Sequence, residues 1–166
     1  MSIITSLVQE FEHEMGNTRR VLERLPDGKF DWKPHEKSYS MGKLAAHVAN
    51  MPIWIGPLFT TSELDFASGD PVLRIPNPKT RAEVLEEFEK TTAAAREGFA
   101  KGDDATLSQP WTLRMGEHVI FTIPRIAAYR SFFMHHQVHH RAQLTVYLRL
   151  NDVPVPGLYG PSADEQ

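Results

Sequence analysis

The apolar residues of the N-terminal stretch recur in steps of four and three. Ile4, Val8, Phe11, Met15, Leu22 and Leu25 share one row, with Thr18 its single polar member. That period puts the row on one helical face, which must be buried against other helices. Ser2 suits the N-cap, and Pro26-Asp27-Gly28 stops the helix. The pattern then repeats three times. A second helix is expected from near Ser40, with Leu44, His47, Met51, Trp54 and Leu58 on one stripe. Pro52 removes a backbone donor there, so a kink or break is expected about one turn before it. Thr80 and Glu83 form a capping box for a third helix, whose stripe of Val84, Phe88, Thr91, Ala95 and Phe99 ends at Lys101-Gly102. The fourth is expected to open at Pro124 and run to Asn151, with Ile126, Tyr129, Phe133, His136, His140, Gln143, Tyr147 and Leu150 as its seam.

Four such helices predict an all-α four-helix bundle, read as a single domain over residues 1–166. Its connections are long. Residues 69–79 hold three prolines, and PWTLRMGEHVIFTIP alternates enough for one short β-hairpin before the last helix. The tail from Val153 to Tyr159 is expected to fold back over the bundle, stiffened by its prolines.

Composition narrows the function. With 41% apolar and 23% charged residues the chain can bury a core. Its net charge of −3, with no basic run, argues against binding nucleic acid or an anionic membrane. The total absence of cysteine excludes disulfides, thiolate nucleophiles and Cys-based metal sites. No stretch approaches the roughly 18 apolar residues of a spanning helix, and the first residues lack the pattern of a secretory signal. The expectation is a cytoplasmic protein acting on a small molecule.

Histidine stands out. Of the eight in the chain, four lie between His135 and His140. His136 and His140 are spaced i, i+4, as are His135 and His139, so either pair can converge on one metal ion from a helical face. The second pair has its own stripe of Phe132, Ala142 and Val146, and spacing does not choose between them. His47 is the one other histidine on a core-facing helical stripe, whereas His13 fits a polar face and His35 and His118 fall in connections. Three imidazoles form a facial nitrogen set with coordination positions left open, the pattern of a catalytic metal. Such a set admits zinc, nickel, iron and copper. Trp54 and Tyr147 are candidates to line the site, and Arg141 to orient an anionic ligand.

The segment HHQVHHRAQLTVYLRLNDVPVP closely resembles the C-terminal helix of the DinB-like proteins, a superfamily that includes the bacillithiol transferases. That helix carries H-x-x-H-H-R-G-Q and then a Pro-rich exit. FDWKPHEKSYSMGKLAAHVANMPIW is similar to the superfamily's first motif, a W-x-P segment followed by a helix with one histidine. The resemblance implies a four-helix bundle holding one divalent metal, zinc or nickel foremost and iron or manganese after them, on His47, His136 and His140. Arg141 and Gln143 match the R-G-Q, with Ala142 in place of the usual glycine. It further implies a homodimer and transfer of a low-molecular-weight thiol to an electrophile, the thiol arriving as cosubstrate because the chain has none. Hydrolysis by metal-bound water and non-enzymatic binding of a metal or small ligand stay open beside it.

Overall fold

The computed structural model describes residues 2–165. Its helices are α1 (Ile3–Leu22), α2 (Met41–Asn50), α3 (Ile55–Thr60), α4 (Arg81–Phe99), α5 (Asp104–Leu107), α6 (Arg125–Ala128) and α7 (His135–Arg149). A small sheet is made of β1 (Glu63–Asp65), β2 (Pro110–Met115) and β3 (His118–Pro124), in the order β1-β2-β3. Four helical columns, namely α1, α2 with α3, α4, and α6 with α7, form the bundle, and the sheet lies across one end of it. The helices start where local chemistry says they should. Ser2, Ser40 and Thr80 each cap a helix by accepting from the backbone N–H three residues on. Glu83 reaches back in turn and accepts from the backbone N–H of Lys79, one residue before the cap.

From Met41 to Met51 every residue except Lys43 is buried, so α2 is the central helix, packed on both α4 and α7. Pro52 breaks it as expected, but later than one turn before the proline. α2 runs to Asn50, a 3₁₀ turn takes Met51–Trp54, and α3 resumes the column. The proline cannot donate to the Val48 carbonyl, four residues back. That carbonyl instead accepts from the side chain of Gln137 on α7, at 3.2 Å. Its neighbour, the Ala49 carbonyl, accepts from Thr91 on α4, at 2.6 Å. The break is thus sealed by two neighbouring helices.

The hairpin is present, turning at Gly116 with φ of 59° and bulged between Leu113 and Arg114. β1 pairs with it in parallel, Leu64 opposite Leu113. Pro124 ends β3 and caps α6 from outside, so the last helical column begins at Arg125, one residue later than its sequence suggests. Arg125 is buried and donates to the carbonyls of Leu58 and Thr61, the latter at 2.7 Å, where it closes the end of α3.

The last column is not a plain α-helix. Tyr129–Met134 form a π-helical turn, which accommodates one extra residue. An extra residue rotates everything after it by about 100° relative to an unbroken helix. The expected seam therefore holds as far as Phe133 and then moves by one position. Gln137, Arg141, Leu144 and Leu148 face the core, whereas Gln143 and Leu150 are exposed. The tail does fold back: Glu165 pairs with Arg20 at 2.7 Å and with Arg24 at 2.6 Å.

Candidate metal centre

The same rotation carries His136 and His140 off the middle of the core and onto the face that looks toward α2. His47 waits there, held on the buried central helix. Each of the three offers a ring nitrogen, and these nitrogens all lie within 4.8 Å of one another. His47 Nε2 and His136 Nε2 are 3.3 Å apart. Two ligands at about 2.0–2.1 Å from a tetrahedral ion stand about 3.3 Å apart, so the edge of a metal polyhedron fits this separation. His135 and His139 are both exposed. Of the two i, i+4 pairs, only the first meets His47.

The rings are prepared as neutral ligands. Burial, joined by the charges of His140 and His136, lowers the His47 imidazole from its usual 6.5 to about 4. Burial also lowers His136, followed by His140, against a hydrogen bond to the Phe132 backbone that works the other way. His140 is lowered by burial despite its bond to Gln143. Neutral imidazoles keep the lone pairs that a metal needs. Orientation comes from outside the triad. Gln143 Oε1 accepts from His140 Nδ1 at 2.7 Å, which leaves Nε2 as the free ligand atom. Gln137, the residue after His136, ties α7 to the carbonyl of Val48, the residue after His47. One hydrogen bond therefore sets the distance between the two ligand-bearing helices. His47 Nδ1, by contrast, is buried with no hydrogen-bond partner.

The triad sits in the wall of a cavity of about 750 Å³, with Trp54, Phe66, Phe121 and Phe132 around it and Tyr39, Leu73 and Ile75 at further points of the lining. Trp54 stacks on Phe132 with ring centroids 5.0 Å apart and planes 13° from parallel, and lies edge-on to His47 at 5.7 Å. The other two expected lining residues lie elsewhere. Tyr147 is buried behind the cavity, where its hydroxyl donates to the Tyr39 carbonyl at 3.1 Å and its ring meets Trp32 edge-on. It supports the connection that carries Tyr39.

Arg141, expected to meet an anionic ligand, is only 1% exposed and faces α1. Its guanidinium pairs with Glu14 at 2.6 Å, donates to the Glu14 carbonyl at 2.9 Å and meets the Tyr159 hydroxyl. The π turn explains the difference: a residue one position past His140 points into the core. Sequence reasoning missed Phe66, Phe121, Leu73 and Ile75, which come from connections and the sheet. The wall residue Phe132 did carry a signal, lying one turn before His136 as His136 lies before His140.

Comparison with known proteins agrees with this architecture. The DinB family profile matches residues 1–166. YrdA of Bacillus subtilis (strain 168), an uncharacterized protein, is 25% identical over 161 residues, which covers 95% of this chain and 89% of YrdA. Among solved structures, a DinB-like protein from Bacillus cereus ATCC 10987 superposes with a TM-score of 0.73 at 21% identity, covering 95% of this chain and 98% of that one. The DinB-like protein YjoA from Bacillus subtilis gives a TM-score of 0.65 at 16% identity over 97% and 99% of the two chains. These structures share the fold. Among the described residues, no helix is long and apolar enough to cross a membrane.

Proposed function

The chain belongs to the DinB family, and from that membership together with the converging imidazoles we propose that it is a metal-dependent transferase, joining a small thiol to an electrophilic substrate. The observation that carries the reading is three neutral imidazoles converging in the wall of an aromatic cavity whose lining holds no carboxylate. Many metal-dependent hydrolases pair the bound water with a carboxylate base, and the lining offers none. A bound divalent ion would supply Lewis acidity and favour the thiolate form of a thiol.

The chain's own residues do the rest. His47, His136 and His140 hold the ion. Gln143 fixes the ring of His140, and Gln137 fixes the spacing of α7 from α2. Trp54 and Phe132 form a flat apolar wall that excludes water and receives the electrophile. The first test is metal content by mass spectrometry of protein purified without a histidine tag, wild type beside His47→Ala. The expected result is about one transition-metal ion per chain in the wild type and none in the variant. The loaded protein is then expected to consume a thiol together with an aryl halide. Protein that takes up no ion from zinc or nickel overturns the reading. Ester cleavage without thiol replaces transfer with hydrolysis.

A further inference from the structure

We propose that His135 and His139 form a second metal site, exposed on α7 and separate from the triad, that takes an exchangeable transition-metal ion. These are the two histidines of the HHQVHH run that the metal centre leaves unused. A pair spaced i, i+4 on a regular helix has its Cβ atoms about 5–6 Å apart on one face. The π turn ends at Met134, so both residues lie within the regular part of α7. The helix has already fixed their spacing. A second imidazole therefore joins an ion held by the first without the entropy of closing a flexible loop.

The surroundings suit an ion. Both residues are exposed, and among the described residues neither ring makes a hydrogen bond or an ion pair. The other histidines outside the triad differ. His13 Nε2 is 3.3 Å from the Asn17 side-chain nitrogen, and His35 Nδ1 accepts from the Lys37 backbone at 3.2 Å. His118 opens β3 with no second histidine beside it. The arginines flanking the pair in sequence are both answered, Arg130 by Glu10 at 3.2 Å and Arg141 by Glu14 at 2.6 Å. Imidazole nitrogen suits nickel, copper and zinc, whereas magnesium and calcium require oxygen ligands. Two imidazoles hold an ion less firmly than three, so this one is lost on desalting and is seen only with free metal in solution. The two sites are neighbours, with the His139 ring edge-on to His140 at 4.9 Å between centroids. Neighbouring dipositive ions repel, so the pair fills after the triad.

The test is isothermal titration calorimetry on tag-free protein that has been saturated with zinc and desalted. Zinc chloride titrated into it is expected to show about one further ion per chain, and magnesium chloride none. His135→Ala and His139→Ala are each expected to weaken that uptake by about tenfold or more, since even a hydrogen-bond partner of a ligand is worth as much. His118→Ala, which removes a lone exposed histidine, is expected to leave it unchanged. Uptake that survives in His135→Ala/His139→Ala overturns the proposal, as does an equal loss in His118→Ala. Wild-type protein that takes up no further ion overturns it too. The outcome does not depend on the triad. If desalted wild type holds no zinc, the metal-centre reading fails, and the same titration of the same variants still decides the pair.

Discussion

His140 and Arg141 are consecutive residues of α7, and the helix turns them to regions that treat buried polarity in opposite ways. On the α1 side, the guanidinium of Arg141 is held on two sides, by the carboxylate and the carbonyl of Glu14, by Thr18 at 3.2 Å and by the hydroxyl of Tyr159. On the α2 side, His47 Nδ1 and Trp54 Nε1 are buried without partners, and three imidazoles crowd together in a lining that holds no carboxylate. Completed networks hold a fold together, whereas the converging ring nitrogens of the second region keep lone pairs for a ligand. A charged residue next to a ligand in sequence is thus no guide to the site, because one position on a helix is enough to change its region.

The contrast is sharpest under mutation. Arg141→Leu leaves Glu14 buried without its cation and is expected to cost about 3–5 kcal/mol in urea unfolding. The folded fraction should keep its full zinc content. A loss of zinc alongside stability would erase the distinction between the regions. Gln137→Leu stands between the two, because its side chain answers the Val48 carbonyl and also spaces the ligand helices. An expected loss of about 1–3 kcal/mol should come with weaker zinc binding in a competition titration. Unchanged zinc affinity would make this bond structural only.

Acid should act on the cavity side. His47 titrates near 6.5 when unfolded and at about 4 in the folded protein. Between those values the unfolded chain binds more protons, so folding grows less favourable as the pH falls. Metal-free protein is therefore expected to lose stability from about pH 6.5 down to about pH 4, and His47→Leu to lose part of that dependence, the rest belonging to His136 and His140, which burial also lowers. A slope unchanged in the variant would assign the titration elsewhere. The smallest effect is expected for His135→Ala, on the exposed face: full zinc content and a stability within about 0.5 kcal/mol of wild type.

Much of this architecture was legible in the sequence. The seam of α1 appears where its spacing puts it, as do the Thr80–Glu83 box, the stripe of α4 and the hairpin around Gly116. Each depends on residues close together in the chain. β1 was not legible, because three residues cannot display a period and its parallel partner lies some fifty positions away. The fate of Arg141 was hidden too, since it depends on the phase of a helix beyond an irregular turn. Periodicity extrapolated through Tyr129–Met134 mistakes Gln143 for a core residue and overlooks Gln137. The cavity wall combines residues from the sheet, from the proline-rich linker and from two helices, an assembly that exists only after folding.

The π turn has a further consequence for insertions and deletions. Because it absorbs one residue, Tyr129–Met134 is where chain length and angular phase are uncoupled. Removing one residue there would restore an ordinary helix while leaving α6 and α7 aligned as they are. Removing one between His136 and His140 would instead turn His140 by about 100° to the other side of His136, and the rest of α7 with it. Length variation is geometrically permitted in the six residues of the wide turn, whereas a few positions later it rotates Arg141, Leu144 and Leu148 out of the core.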